Sequence, residues 1–334
     1  MPGFPVVAVI GAGAWGTAFA VHLASIGHSP RMWALEEETV ADINSGENKT
    51  FLPGVRLPGK IRAGKDIDSV IEGADIVFMA VPTQHLASVL DRIDLKKVGD
   101  GTIFVDLAKG IERKTGRFPS QIIRSYFPNA HILVLSGPSF ASEVAKGKPT
   151  VLVTAGDRDT AKHLQDVISG PTMRVYRSED ILGVELGGAL KNVFALAAGM
   201  IDGLGLGENT RSAMIVRGLA EVRKLALAMG ADNNTIFGIS GLGDLVLTCT
   251  SDQSRNYRMG KMIAEGNSPT EILKKVNWVA EGVFTASAAL QIAEENDVEM
   301  PITEMVQRVI DEDISPEDAV AELMSRPYKE EFVQ

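Results

Sequence analysis

Cysteine is nearly absent from this chain of 334 residues, and its single thiol, Cys249, excludes both an intrachain disulfide and a cysteine-rich zinc site. That poverty suits a reducing compartment. Histidine is sparse as well: the five (His22, His28, His85, His131 and His163) form no ligand pair at helical spacing, so no structural metal is expected. Positive charge is in deficit. With 33 Lys and Arg against 43 Asp and Glu, the net charge is −10 and no run of five like charges occurs. The broad basic face that nucleic acid or an anionic membrane demands has no source, so neither is an expected partner. The N-terminus lacks a basic segment followed by an apolar core, and no apolar run is read as approaching the roughly 18 residues of a membrane span. The cytoplasm is the expected location. Set against these absences is a hydrophobic content of 45%, enough at this length for two domains with cores of their own.

Val6 to Ile10 is a short β-branched run, followed at once by GAGAWG (Gly11 to Gly16) and by an apolar-periodic segment from Thr17 to Ile26 that stops at Gly27. The pattern is strand, turn, helix. Gly11 allows the tight turn, Gly13 lets the backbone approach a pyrophosphate, and Gly16 lets helix and strand pack closely, with the phosphates at the helix N-terminus. A dinucleotide site is therefore expected here. After the second strand, Pro30 to Trp33, the acid sought about 20 residues beyond the glycines falls on Glu36 or Glu37. Either can hold a ribose hydroxyl, and the three glutamates from Glu36 to Glu38 equally suit the start of a helix. No arginine follows the strand, which favours NAD over NADP.

The alternation continues with strands at Ala74–Val81, Thr102–Asp106, His131–Leu135, Thr150–Ala155 and Met173–Arg177. Helices are expected to about Ile93, over Pro119–Phe127, around Glu143 and over Thr160–Ser169. Such alternation predicts an α/β fold, a parallel doubly wound Rossmann-type sheet with ligands gathering at the strand C-termini. Gly11–Gly16, Pro82–Gln84, Lys109 and Gly137–Ser139 all lie there. After Arg177 the texture turns helical. The boundary is placed near Ser178, giving a dinucleotide-binding domain over 1–178 and an all-helical domain over 179–334. Helices are expected at about Thr210–Met229, Arg258–Glu265, Pro269–Lys274, Thr285–Asn296, Thr303–Asp311 and Pro316–Ser325. Gly238 to Tyr257 reads as an irregular, glycine-rich functional loop.

Between these parts lies Gly183 to Gly207, a helical run apolar around most of its circumference, which Ser178 with Asp180 can cap. Lys191 sits at its middle. Burial there disfavours the ammonium form and draws the pKa from about 10.4 towards 7 or 8, the range of a proton-exchanging amine. The residues leave a second reading open, in which the head reaches solvent or pairs with Glu185.

GAGAWG, AKG (Ala108–Gly110), SGPSFA (Ser136–Ala141), GGALKN (Gly187–Asn192), GLGDLVLTC (Gly241–Cys249), QSRN (Gln253–Asn256) and AEG (Ala280–Gly282) resemble the NAD(P)-dependent glycerol-3-phosphate dehydrogenases. The likeness is to the bacterial soluble type, spans nearly the whole chain and keeps the family's order. It implies that Lys191 is the catalytic acid/base, with Asn192 beside it. It further implies that Asp244, Thr248, Ser254, Arg255 and Asn256 bind substrate and its phosphate, with Lys109, Gly137 and Ser139 as further contacts. Implied cofactor contacts are Gly11, Gly13, Ala14, Trp15, Gly16, Leu35, Glu36, Lys109, Ala141, Arg255, Val279 and Glu281. Relatives often carry a basic or histidine side chain where this chain has Ala34, Leu35 and Glu36, so the choice between NAD and NADP stays open. The implied reaction interconverts dihydroxyacetone phosphate and sn-glycerol 3-phosphate, supplying glycerol phosphate for phospholipid synthesis. The small phosphorylated triose is the expected partner, and the oligomeric state, a homodimer included, stays open. Two rivals remain: a β-hydroxyacid or sugar-acid dehydrogenase of the same two-domain architecture, and a regulator that binds NAD without turnover. An acidic protein that holds a dinucleotide and a triose phosphate must gather its cations at the site, and Lys109, Lys191 and Arg255 supply them.

Overall fold

Short, wholly apolar strands such as VAVI in β1 (Val7–Ile10) and IVFM in β4 (Ile76–Met79) have no polar face, and both are buried on every residue. They require a sheet covered on both sides. The computed structural model, which describes residues 4–276, 278–328 and 330–331, supplies one. The remaining strands are β2 (Arg31–Trp33), β3 (Arg62–Gly64), β5 (Ile103–Asp106), β6 (His131–Ser136), β7 (Thr150–Ala155) and β8 (Met173–Ser178), in the order β3-β2-β1-β4-β5-β6-β7-β8. The order reverses between β1 and β4, which opens a crevice at their C-terminal ends. β3 was not anticipated, being three residues long and polar at Arg62.

The expected parallel sheet needs one correction. β7 pairs antiparallel to β6, while β8 returns parallel to β7. Only a turn and a five-residue helix separate β6 from β7, and a parallel crossover usually needs a full helix. Helices α1 (Ala14–Ser25), α2 (Glu37–Ser45), α3 (Ile67–Ile71), α4 (Thr83–Leu90), α5 (Pro119–Tyr126), α6 (Ala141–Ala145) and α7 (Arg158–Ile168) alternate with the strands.

Past β8 the described chain is helical: α8 (Ile181–Gly203), α9 (Gly207–Ala228), α10 (Asn233–Ile236), α11 (Asp244–Cys249), α12 (Arg255–Ala264), α13 (Pro269–Lys275), α14 (Glu281–Glu295), α15 (Pro301–Ile310) and α16 (Pro316–Met324). α8 is the axis of this half and is buried from Gly183 to Ile201. Asp180 starts it by accepting from the Gly183 amide at 2.9 Å, while Ser178 accepts from the Asp180 amide at 3.1 Å. Contrary to the sequence reading, α8 is long and apolar enough to cross a membrane by length and composition, but 78% of its most apolar window is buried inside the protein. Its hydrophobicity serves the core. A Cβ on Gly199 of α8 would lie 1.9 Å from the Tyr257 carbonyl, and one on Gly260 of α12 would lie 2.0 Å from that of Leu196. The two helices therefore cross backbone against backbone.

The stretch Gly238–Tyr257 is not an irregular loop. It holds a π-helical turn at Ile239–Gly243, then α11, then the start of α12. Its glycines answer a packing demand, since a Cβ on Gly241 would strike the Ile236 carbonyl at 2.0 Å. α12 also begins three residues earlier than expected, because Ser254 caps it by accepting from the Tyr257 amide at 3.2 Å.

Candidate active site

The glycine-rich turn carries out the demands its spacing makes. Gly11 has φ +109, and a Cβ there would lie 2.5 Å from the carbonyl of Ala80, the residue just past β4. A Cβ on Gly16 would lie 2.1 Å from the Gly11 carbonyl, whereas one on Gly13 meets nothing within 4 Å. Gly13 is the N-cap of α1, has no side-chain cap and is followed by no acid in the first turn. Bare amides and open space at a helix N-terminus fit a pyrophosphate. Ala14 and Trp15 are the first residues of that helix. The turn is braced by a residue the sequence reading missed: buried Asn48 donates to the Ala12 carbonyl at 2.9 Å and to Thr17 Oγ1 at 2.8 Å. Asn48 lies in the non-repetitive stretch before β3, where no periodicity singles it out. Leu35 and Glu36 are exposed just past β2, and Glu36 is the N-cap position of α2.

Hydrogen bonds run from this turn to the helical half. Trp15 Nε1 donates to the Ser139 carbonyl at 3.0 Å and to its hydroxyl at 3.1 Å, and Ser139 Oγ donates to the Gly137 carbonyl at 2.9 Å. Lys109 Nζ donates to that same carbonyl at 2.8 Å and to Asp244 Oδ2 at 2.7 Å. The other oxygen of Asp244 takes Lys191 Nζ at 2.5 Å, which also donates to Thr248 Oγ1 at 3.0 Å. Trp15, Ser139, Gly137, Lys109, Asp244, Lys191 and Thr248 thus form one continuous network. The Lys191–Glu185 pairing left open by the sequence does not occur, since Glu185 turns to Ser120.

One buried carboxylate therefore faces two ammonium groups. Asp244 is wholly buried, which alone would raise its pKa, yet Lys109 and Lys191 hold it below the usual carboxylate range. Burial pulls Lys191 down from 10.5 to about 8, Asp244 opposing the fall and Lys109 adding to it. An ammonium has three donors, and two of those on Lys191 are engaged. The third has no hydrogen-bond partner among the described residues and can meet an incoming oxygen.

Asn192 and Asn256 lie at the same seam with their side chains committed to it. Asn192 Nδ2 donates to the Lys109 carbonyl at 2.8 Å, Asn256 Nδ2 donates to Asn192 Oδ1 at 2.8 Å, and the Gly282 amide donates to Asn256 Oδ1 at 3.0 Å. Ser254 is the buried cap of α12, and Arg255 follows it, exposed at the first helical position. Glu281 is buried at the start of α14 and accepts from the Thr83 amide at 3.0 Å. Burial pushes it up to about 7 against the pull of that amide and of Arg255. Val279 precedes it, half-buried, and Ala141 opens α6. Gln253 ties α6 to the α12 cap, accepting from Ser142 Oγ at 2.7 Å. A groove of about 650 Å³ lies elsewhere, on the outer edge between α7 and β8 around Arg158 and Arg177, and contains none of these residues.

A doubly wound sheet with a bare glycine turn at its switch point, and a lysine–aspartate–lysine cluster in which Lys109 from the sheet half meets Asp244 and Lys191 from the helical half, is the build of a nicotinamide-dependent dehydrogenase. The comparisons narrow that class. Residues 6–162 match the family model for the N-terminus of NAD-dependent glycerol-3-phosphate dehydrogenase, and residues 180–321 match the model for its C-terminus. The chain is 46% identical to glycerol-3-phosphate dehydrogenase (NAD(P)+) of Moorella thermoacetica, covering 97% of each chain. It is 45% identical to that of Agathobacter rectalis, covering 97% of this chain and 96% of the relative. The crystal structure of glycerol-3-phosphate dehydrogenase from Coxiella burnetii superposes with a TM-score of 0.92 at 36% identity, over 97% of this chain and 99% of the other. The chain belongs to the NAD-dependent glycerol-3-phosphate dehydrogenase family.

Proposed function

We propose that this chain interconverts dihydroxyacetone phosphate and sn-glycerol 3-phosphate with NAD(H) or NADP(H) in the cytoplasm, and so feeds phospholipid synthesis. Residues 1–178 are the dinucleotide-binding domain in this reading and 179–334 the helical substrate domain. The observation that carries it is the Lys191 amine: buried, brought to about 8, fixed by Asp244 and Thr248, and linked by hydrogen bonds to the glycine turn.

A bound nicotinamide supplies or accepts the hydride. The chain's own residues manage the rest. Ser254, the first-turn amides of α12 and the Arg255 guanidinium hold the substrate phosphate, a planar fork suiting its oxygens. Lys191, as ammonium, turns its free N–H to the carbonyl oxygen, polarises it and gives it a proton as the carbon is reduced. Lys191 then stands as a neutral amine. In the oxidative direction that amine takes the hydroxyl proton. Asp244 keeps both lysines in place, and Lys109 adds positive potential where negative charge develops on oxygen. The first test is spectrophotometric. Absorbance of NADH should fall when dihydroxyacetone phosphate is added, and a parallel run with NADPH reads the coenzyme preference; no fall with either would end the proposal.

A further inference from the structure

Glu185 lies on α8 six residues before Lys191, buried, and its partners belong to the other half of the protein. Oε1 accepts from the Ser120 amide at 2.9 Å and Oε2 from the Ser120 hydroxyl at 2.7 Å. Ser120 stands in the first turn of α5, whose N-cap position is Phe118, a side chain with no oxygen to offer. The orphan first-turn amide is thus capped from across the seam. No cation pairs with this carboxylate among the described residues, and burial pushes it up to about 7 against the pull of the two Ser120 bonds. A buried anion held only by a serine is costly to keep.

The same helix grips the sheet half at a second point. Asn192, next to Lys191, donates to the Lys109 carbonyl at 2.8 Å. The Lys109 turn is itself set by Asp106 at the end of β5, whose Oδ1 accepts from the Ala108 amide at 2.9 Å. Two grips seven residues apart on a rigid helix fix both its slide and its roll. Close backbone packing against α12 limits how far α8 can turn, so losing the Glu185 grip leaves only a small roll, but a small roll shifts Lys191 from the Asp244 oxygen it meets at 2.5 Å.

We propose that Glu185 is a positioning residue for the reaction: by capping α5 from α8 it locks the roll of α8 on the sheet half, and so sets where the Lys191 amine meets Asp244 and the substrate oxygen. The inference rests on the reading of Lys191 as the acid/base. The charges that bear on this seam besides Glu185 are Asp106, Glu281 and Lys109, the two acids with the sign of Glu185 and the lysine opposite.

The test compares Glu185→Ala, Glu185→Gln and Ser120→Ala with the unaltered chain. In Glu185→Ala, kcat should fall by about 10- to 100-fold, as expected for a misplacement near 1 Å, while the Kd for NADH stays unchanged because the glycine turn is untouched. The alkaline limb of kcat/KM, set by Lys191 near 8, should move as that amine leaves Asp244. Hydrogen exchange of the first-turn amides of α5 should quicken in the same variant. Glu185→Gln keeps an acceptor for the Ser120 amide and should restore most of kcat, the limb position and the exchange protection. Should Glu185→Ala fail to fold, Ser120→Ala carries the test: losing the hydroxyl bond alone should cost about 2- to 10-fold in kcat with NADH binding unchanged. Unchanged kcat in the folded variants overturns the inference, and so does a fall in kcat with the limb unmoved, which marks a purely structural role. Inactivity of the unaltered chain overturns the reading of the site instead, so the two failures are distinguishable.

Discussion

The glycine-rich turn and the lysine cluster stand at one crevice and are built by opposite means. The turn is made of backbone: side chains are absent where they would collide, and bare amides face open space. The cluster is made of side chains from α8, α11 and the loop after β5, with Asp244 and Lys191 buried at a cost that their mutual contact and half-buried Lys109 offset. A backbone site is specified by neighbours in sequence. A side-chain site is specified by neighbours in space, so one substitution there disturbs several charges at once.

That contrast breaks most sharply at Lys191. Lys191→Ala should lower kcat by about 10²- to 10⁴-fold, the share of a positioned acid/base, with NADH binding nearly intact. Retention of more than about a tenth of turnover would leave the cluster without its chemical role. Asp244→Asn comes next. Removing the shared anion strands the buried Lys191 ammonium and the half-buried one of Lys109, and breaking a buried pair costs about 3–5 kcal/mol, read as a lower midpoint in urea. It also deletes the partner that opposes the fall in the Lys191 pKa, so the alkaline limb of kcat/KM should shift to lower pH from its position near 8. A shift upward would contradict the role of Asp244 as the anion that keeps the amine charged.

Arg255→Ala should cost about 10- to 150-fold in kcat/KM for dihydroxyacetone phosphate, the worth of one charge-assisted bond, and little for unphosphorylated dihydroxyacetone. Equal losses on both substrates would exclude a phosphate clamp. The turn offers a paired test of its own. Gly16→Ala forces a Cβ to 2.1 Å from the Gly11 carbonyl, so both stability and NADH affinity should drop. Gly13→Ala places its methyl in open space at φ −66, so the thermal midpoint should hold while NADH binding weakens by calorimetry. If both variants lost stability alike, the turn would not be a backbone cradle.

The smallest effect lies away from the crevice. Glu221 of α9 is buried and accepts from the amides of Ile302 and Thr303 at the start of α15. Burial raises it from 4.5 to about 7 in the folded state, against the pull of those bonds. A carboxyl whose folded pKa exceeds its unfolded one stabilises fully below the unfolded value and loses that contribution as pH rises through the folded value. Stability from this group should therefore decline between about pH 4.5 and 7. Glu221→Gln should flatten the slope of unfolding free energy against pH in that window, and an unaltered slope would mean that Glu221 does not titrate there.

Much of the fold could be read from the chain because it is written locally. The β-branched runs, the compact turns and the change of texture after Arg177 each need only a few consecutive residues to be recognised. The errors fall where distant segments compete. Gly238–Tyr257 looks like a loop by composition, yet its glycines admit close helix packing that no local count foresees. The reversed pairing of β7 goes with a connection whose only helix is five residues long, a feature no local pattern in the strand itself reveals. At the site, resemblance named the chemical groups, while the commitment of the Asn192 and Asn256 amides to the seam appears only with the helices in place.

By itself the sequence determined that the helix around Lys191 would be buried, because it is apolar on nearly every side, but it left open whether the amine at its middle stayed inside or reached solvent. It determined the glycine turn too, since the absence of a side chain is a property of single positions. The tertiary structure alone decided which anion Lys191 meets. Helical periodicity states which faces are buried but not which element will cover them. Asp244 rather than Glu185 became the partner because α8 and α11 pack side by side, while Glu185 faces the open end of α5.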